Sequence, residues 1–229
     1  PAQGFTLTAD TDIPMQAGLA GSTAITTAIL GALAAWFGAS PGLHESAEAV
    51  RIIEHQIMGQ TCGYQDQYMA CFGGVNFIDF AGKEWQRQDE TEPFATVEPL
   101  EGKVDLSKFA VVHTGVRHDS TSVHKPIRER WETGEAKVVE SYRQITRLAR
   151  LGKKALLLGD WAGLGKLMNE NHALQRGLGG SGEINEHYIN LALAEGAWGA
   201  KLAGAGQGGT IILLHEAPEA LATHLIKEA

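Results

Sequence analysis

Short alternating runs and longer apolar stretches of helical period divide the chain into segments. Residues 5–8, Phe-Thr-Leu-Thr, alternate apolar and polar side chains and predict a strand. Residues 14–21 read as a loop holding Gly18 and Gly21, and Ser22 stands where a helix N-cap belongs. The stretch 23–37 is rich in Ala, Leu and Ile and predicts a buried helix, stopped by Gly38 and Pro41. A second helix is predicted over 45–58, with Ala47, Val50, Ile53 and Ile57 on one stripe. A turn at 59–63, a helix at 65–72 and a strand at 75–80 follow, the strand directing Val75, Phe77 and Ile78 to a core. Residues 81–103 are charged, contain Pro93 and Pro99, and suit connecting hairpins or a domain junction. A strand at 109–113 opens a second unit, with helical stretches over 127–151, 161–174 and 184–195. A strand at 210–214 and a helix at 218–227 close the chain. The order lacks regular βαβ alternation and internal repeats, so the expected class is α+β.

Composition narrows the function classes. With 229 residues, 44% hydrophobic and 20% charged, the chain is an ordinary globular one. Its net charge is −8 and no block of consecutive Lys or Arg occurs, which argues against nucleic acid or an anionic membrane as partner. The longest apolar run, 24–37, falls short of the roughly twenty residues of a membrane span. No Lys or Arg precedes Arg51, so the positive region of a signal peptide is missing. Two cysteines, Cys62 and Cys71, then read as reduced thiols of a cytoplasmic protein. The nine histidines show no tight metal-ligand pattern with them.

Three segments carry candidate chemistry. In the first, Gly18, Leu19, Ala20, Gly21, Ser22 and Thr23 lead into a helix, whose free N–H groups and dipole form a seat for phosphate. The competing reading is a glycine turn with a serine cap. In the second, Glu54 lies at the edge of the apolar stripe, where a carboxylate needs a hydrogen bond, a partner or a metal. Asp66 follows the Cys62–Gly63 turn, in a stretch with few charges. Mg²⁺ takes one or two carboxylates together with phosphate oxygens and water. Otherwise Glu54 reaches solvent and Asp66 caps a helix. In the third, Gly204, Gly206 and Gly209 formally satisfy the dinucleotide fingerprint. The context is wrong, because a helix-rich stretch precedes and a strand follows. The competing reading is a glycine hairpin where backbones pack closely.

Together these segments resemble a known family. Pro14, Gly18, Leu19, Ser22, Thr23 and Ala24 are similar to the second motif of the GHMP kinases. Cys62, Gly63, Asp66 and Gln67 resemble its catalytic-aspartate segment, and Lys201, Leu202, Gly204, Ala205, Gly206, Gly208 and Gly209 its third motif. The resemblance implies an N-terminal unit like the second domain of ribosomal protein S5, over 1–103, and a ferredoxin-like unit over 104–229. It implies ATP held by Gly18, Leu19, Ala20, Gly21, Ser22, Thr23, Gly204, Ala205, Gly206, Gly208 and Gly209. Mg²⁺ would take Ser22 or Thr23 and Glu54 as ligands, and Asp66 would be the catalytic residue beside the accepting hydroxyl. Gln207 stands where the family frequently has Gly.

The family's first motif brings a Lys or Arg beside the aspartate, and residues 1–50 contain neither. The expectation is that this motif lies before residue 1. Softer likenesses, at Thr6–Pro14 with Gly18–Ser22, at Asp119–His124 with Arg128–Gly134, and at Met168–Asn171, point to glucuronokinase-type sugar kinases. The implied reaction is phosphorylation of a free sugar at its anomeric hydroxyl, D-glucuronate first. Arg117, Lys125, Arg128 and Arg130 are candidates for binding its carboxylate, or else line a solvated helix face. Galactokinase-like and heptose-phosphate kinase activities are the alternatives, as is a non-catalytic sensor of ATP and sugar. No residue pattern bears on the oligomeric state.

Overall fold

The computed structural model describes residues 4–83, 92–117 and 120–228. The expectations that fall on residues 84–91, on His118 and on Asp119 lie outside these. Two compact units divide the chain: residues 1–14 with 20–101, and residues 15–19 with 102–229.

The first unit contains helices α1 (Gly21–Trp36), α2 (Leu43–Ile52) and α3 (Gln65–Phe72), with a π-helical turn at Ile53–Ile57. Strands β1 (Asn76–Asp79) and β2 (Thr96–Pro99) form an antiparallel pair that sets Ile78 opposite Val97. Residues 4–12 form no strand, because among the described residues nothing offers them a ladder. Helix α1 is less buried than its composition predicts. Thr23 is its one fully buried residue, and Trp36 lies in the open. An apolar groove of about 370 Å³ runs along Ile25, Ile29, Leu33, Ile53 and Met58. An apolar run reports what a helix can bury, and the described residues cover only part of this one.

The core of the unit joins Ala47, Tyr64, Tyr68 and Ala95 to Phe72, Ile78, Phe80 and Val97. Ile78 thus faces inward as the pattern predicts and Phe80 joins it, whereas Val75 and Phe77, also expected there, are not among the residues of this core. Beside this core sits a charged network. The Lys83 ammonium, 2% exposed, donates to Glu48 Oε1 at 2.8 Å, Glu92 Oε2 at 3.0 Å and the Pro93 carbonyl at 3.0 Å. The Tyr68 hydroxyl donates to Glu48 Oε1 and accepts the Ala95 N–H at 3.0 Å. A connector rich in charge is thereby fastened to the helices it follows.

The second unit is built on a three-stranded antiparallel sheet in the order β3 (Phe109–His113), β5 (Thr210–Leu214), β4 (Gly199–Leu202). Around it lie α4 (Ser120–Glu132), α5 (Ala136–Leu158), α6 (Trp161–Leu178), α7 (Glu183–Ala194) and α8 (Pro218–Lys227). Alternation along the strands makes two cores. Val112, Ile211, Leu213, Ala200 and Leu202 pack on Tyr188 and Ile189 of α7 and on Leu221 and Leu225 of α8. On the other face, Phe109, Ile212 and Leu214 meet Leu164 and Met168 of α6. The expected helix over 127–151 is in fact parts of α4 and α5, parted by Gly134 at φ 73°. Strand β4 lies where the sequence pattern predicts a helix-rich stretch.

Helix α6 lies against β4 backbone to backbone. A Cβ on Gly199 would stand 2.7 Å from the Gly165 Cα, and one on Gly165 would collide with the Trp198 carbonyl. The Asn169 amide completes the edge of the strand, accepting the Ala200 N–H at 3.0 Å and donating to the Trp198 carbonyl. No helix among the described residues is long and apolar enough to cross a membrane.

Two stability predictions follow from this packing. Lys83→Met leaves Glu48 and Glu92 without their shared cation, and we expect a loss of about 3 kcal/mol in chemical denaturation. Gly165→Ala drives a methyl group into a backbone carbonyl, and we expect a loss of about 2 kcal/mol by the same measurement.

Candidate functional site

In the first unit the site begins with how α1 starts. Ala20 occupies the N-cap position in a left-handed conformation, φ 54°, and offers no capping side chain. Ser22, the expected cap, lies inside the first turn. The first intrahelical bond runs from Ala24 N to Ala20 O. Among the described residues no acceptor pairs with the N–H groups of Gly21, Ser22 and Thr23. An uncapped helix start of this kind presents free donors and the positive end of its dipole.

The Thr23 side chain turns away from those amides to a buried carboxylate. Its hydroxyl donates to Glu54 Oε1 at 2.8 Å. The second Glu54 oxygen accepts from Gln67 Nε2 at 2.6 Å. All three side chains are buried, Glu54 and Gln67 to 1% exposure. The π-helical turn explains how Glu54 reaches this place: the wider coil carries it inward from the edge that an α-helical wheel assigns it.

Asp66 directly precedes Gln67 in the first turn of α3. It lies on the exposed side of the helix, yet loss of hydration around its carboxyl pushes the group above its ordinary value. The Cys62 thiol registers the neighbourhood. Burial, then the charge of Glu54 and that of Asp66, raise it to about 11, with Arg51 opposing. Both cysteines are free. Arg51 is a site residue of this unit that no motif marks. It is buried, stacks 4.1 Å from the Tyr64 ring centre, and is the first cation of the chain. Its place three residues before Glu54 is the signal that could have found it.

In the second unit the remaining candidates gather around the end of β4. The Thr210 hydroxyl donates to the Ala17 carbonyl at 2.7 Å, and Gly204 packs on the Gly18 backbone, 3.3 Å from a Cβ to its oxygen. Residues 15–19 and 204–210 therefore form one assembly. Gln207 takes a left-handed φ of 60°, so its position accepts a non-glycine at a conformational cost. Gly208 follows at φ 121°, where a Cβ would stand 2.6 Å from the Val116 carbonyl. Both polar groups of Gly208 bond to the buried Asn185 amide, at 2.7 and 2.8 Å. The Gly209 carbonyl accepts from Thr114 N, Thr114 Oγ1 and His113 Nδ1. Asn185 and Thr114 had no motif to mark them.

The fingerprint reading is excluded for a better reason than the expected one. A strand does precede the glycines, but it runs antiparallel to the strand that follows, with no helix in between. Lys201 stands in β4 just before them. Burial brings its ammonium down to about 8, and Nζ donates to the Leu202 carbonyl. Of the candidates for a carboxylate ligand, Arg130 pairs with Glu135 at 2.7 Å and Arg128 with Glu132 at 2.7 Å. Arg130 also donates to the Leu178 carbonyl of α6 at 3.2 Å, and both guanidinium side chains are half-buried rather than spread on an open helix face.

The oxygen-only set of Thr23, Ser22 and Glu54 fits a hard cation such as Mg²⁺. No group of three His, Cys, Asp or Glu that could hold a metal occurs among the described residues.

Comparison with known proteins agrees with this architecture. The sequence model for the GHMP kinases N terminal domain matches residues 1–74, and that for the GHMP kinases C terminal matches residues 153–228. Probable glucuronokinase 2 of Arabidopsis thaliana is 29% identical over 221 residues, covering 94% of this chain and 58% of that protein. The D-glycero-alpha-D-manno-heptose 7-phosphate kinase of Campylobacter jejuni is 26% identical, covering 90% of this chain and 59% of that protein. The solved Lactococcus lactis galactokinase, in complex with galactose, superimposes with a TM-score of 0.73 at 18% identity, over 95% of this chain and 64% of that one. The chain thus spans less than two thirds of the length of these relatives. It has their α+β fold, and it belongs to the GHMP kinase superfamily.

Proposed function

We propose that this protein is an ATP-dependent kinase that phosphorylates a hydroxyl of a small sugar, the anomeric hydroxyl of D-glucuronate first. The observation that carries the reading is the Thr23–Glu54–Gln67 arrangement at an uncapped helix start, with Asp66 as the next residue along α3. The two glucuronokinases among the relatives support the choice of sugar. The heptose-phosphate kinase supports the second candidate.

In this reading the free amides of Gly21, Ser22 and Thr23 receive phosphate oxygens of ATP. Ser22 or Thr23 and Glu54 hold Mg²⁺, which neutralises charge on the phosphates. The glycines at 18, 204, 206, 208 and 209, with Leu19, Ala20, Gly21 and Ala205, give the nucleotide its backbone contacts. The proposed domains are residues 1–103 and 104–229. In the transfer, the sugar oxygen bonds to the γ-phosphorus as the bond from that phosphorus to the β–γ bridging oxygen breaks. Asp66 accepts the hydrogen bond of the attacking hydroxyl, orients it and takes its proton late. A carboxylate, even one raised by desolvation, is far too weak a base to ionise an alcohol beforehand.

A panel of D-glucuronate, galactose and heptose phosphates, offered with ATP and Mg²⁺ to the full-length protein, tests the acceptor. Glucuronate is expected to turn over fastest. Inactivity on all three overturns the sugar-kinase reading.

Asp66→Asn tests the chemistry. We expect kcat to fall by about 10²–10⁴-fold while nucleotide affinity holds; unchanged turnover removes Asp66 from the reaction. In the unsubstituted protein kcat rises as pH climbs through the raised Asp66 value, and this acid limb disappears in the variant. The sign for stability is opposite. A carboxyl raised by folding favours the folded state below its unfolded value and loses that contribution as pH rises through the folded one. Asp66→Asn is therefore expected to melt no lower than the parent at neutral pH.

A further inference from the structure

We propose that Gln67 is a positioning residue that fixes the Glu54 carboxylate and thereby sets the affinity for metal-bound nucleotide, an inference that rests on the kinase reading above. Three observations carry it. The Gln67 side chain is 1% exposed, so its hydrogen bonds are settled inside the protein. Its Nε2 donates to Glu54 Oε2 at 2.6 Å, while its Oε1 is buried with no hydrogen-bond partner. A half-satisfied buried amide is costly, and such orphans in folded proteins call for an explanation. Turning the amide over would not relieve it, because Oε1 would then face the oxygen of a carboxylate. The orientation thus serves Glu54 at the expense of Gln67.

The consequence is directional. Glu54 is held at both oxygens, by Thr23 on one side and Gln67 on the other, so its plane cannot turn freely. The Thr23 hydroxyl spends its one hydrogen on Glu54, which leaves its lone pairs for a cation or a phosphate-bound water. Gln67 also follows Asp66, so the same bond ties the helix start that carries Asp66 to the turn that carries Glu54. Groups that orient a metal ligand in this way typically change metal affinity by about 10–100-fold when removed.

The test uses the full-length protein and measures ADP binding by calorimetry with Mg²⁺ and with EDTA, and Mn²⁺ binding by electron paramagnetic resonance. Gln67→Met keeps the volume and removes the donor. We expect the Mg²⁺-dependent affinity to fall about 10–100-fold, the Mn²⁺ affinity to fall alongside it, and the metal-free affinity to stay level. In a Glu54→Gln background the same change should add nothing, because Gln67 acts through Glu54. Gln67→Asn, one methylene short of Glu54, is the second variant should the first fail to fold, with the same expected direction. A metal-dependent affinity within twofold of the parent, or a full additional loss in the Glu54→Gln background, overturns the proposal. Absence of any metal effect on ADP binding in the unsubstituted protein instead overturns the kinase reading itself.

Discussion

The buried carboxylate of Glu54 is the constraint on which the first unit's site depends. An anion at 1% exposure is sustained only where donors meet both of its oxygens, and here Thr23 and Gln67 do so. Those two residues belong to different helices, so the electrostatic requirement of one side chain fixes how α1, the π-helical turn and α3 come together. The uncapped start of α1 and the raised carboxyl of Asp66 acquire meaning from that frame, since each lies within one or two residues of a Glu54 partner.

The second unit meets a different demand by other means. Its glycine segment has little side-chain matter to hold it in place. The backbone is pinned instead by groups around it: Asn185 on both polar atoms of Gly208, three donors on the Gly209 carbonyl, and Thr210 on Ala17. Left-handed turns at Gln207 and Gly208 are tolerated because these bonds determine the path. A glycine run of this kind is ordered by its surroundings, which lets the backbone come close to a ligand without becoming loose.

Much of this was legible in the chain, and the gaps have physical reasons. Helix α3 was found within its limits because Gly63 and Gly73 bracket it, and β5 because Thr-Ile-Ile-Leu-Leu is a plain strand run. Strand β4 was invisible: Gly-Ala-Lys-Leu is short, has no β-branched residue, and owes its conformation to β5 and the Asn169 amide. The end of α4 was hidden because Thr133 and Gly134 interrupt an amphipathic pattern that α5 resumes. Period-3.6 reasoning could not foresee the π-helical turn, and so placed Glu54 at an edge. The motifs pointed to Thr23, Glu54 and Asp66, but not to the bond between Thr23 and Glu54 across 31 residues, nor to Gln67 and Asn185 as supports. Gln67 stands in the aspartate motif, but the motif does not say which side chain it supports, and Asn185 has no signature at all, because the function of each is the position of another group.

The proposed site requires a cation that meets Thr23 and Glu54 at the start of α1. Crystals of the full-length protein grown with Mn²⁺ and a non-hydrolysable ATP analogue would locate it by anomalous scattering. We expect one strong peak bonded to a Glu54 carboxylate oxygen and to the hydroxyl of Thr23 or Ser22, beside phosphate oxygens. A nucleotide bound with its metal away from Glu54 would contradict the proposed site.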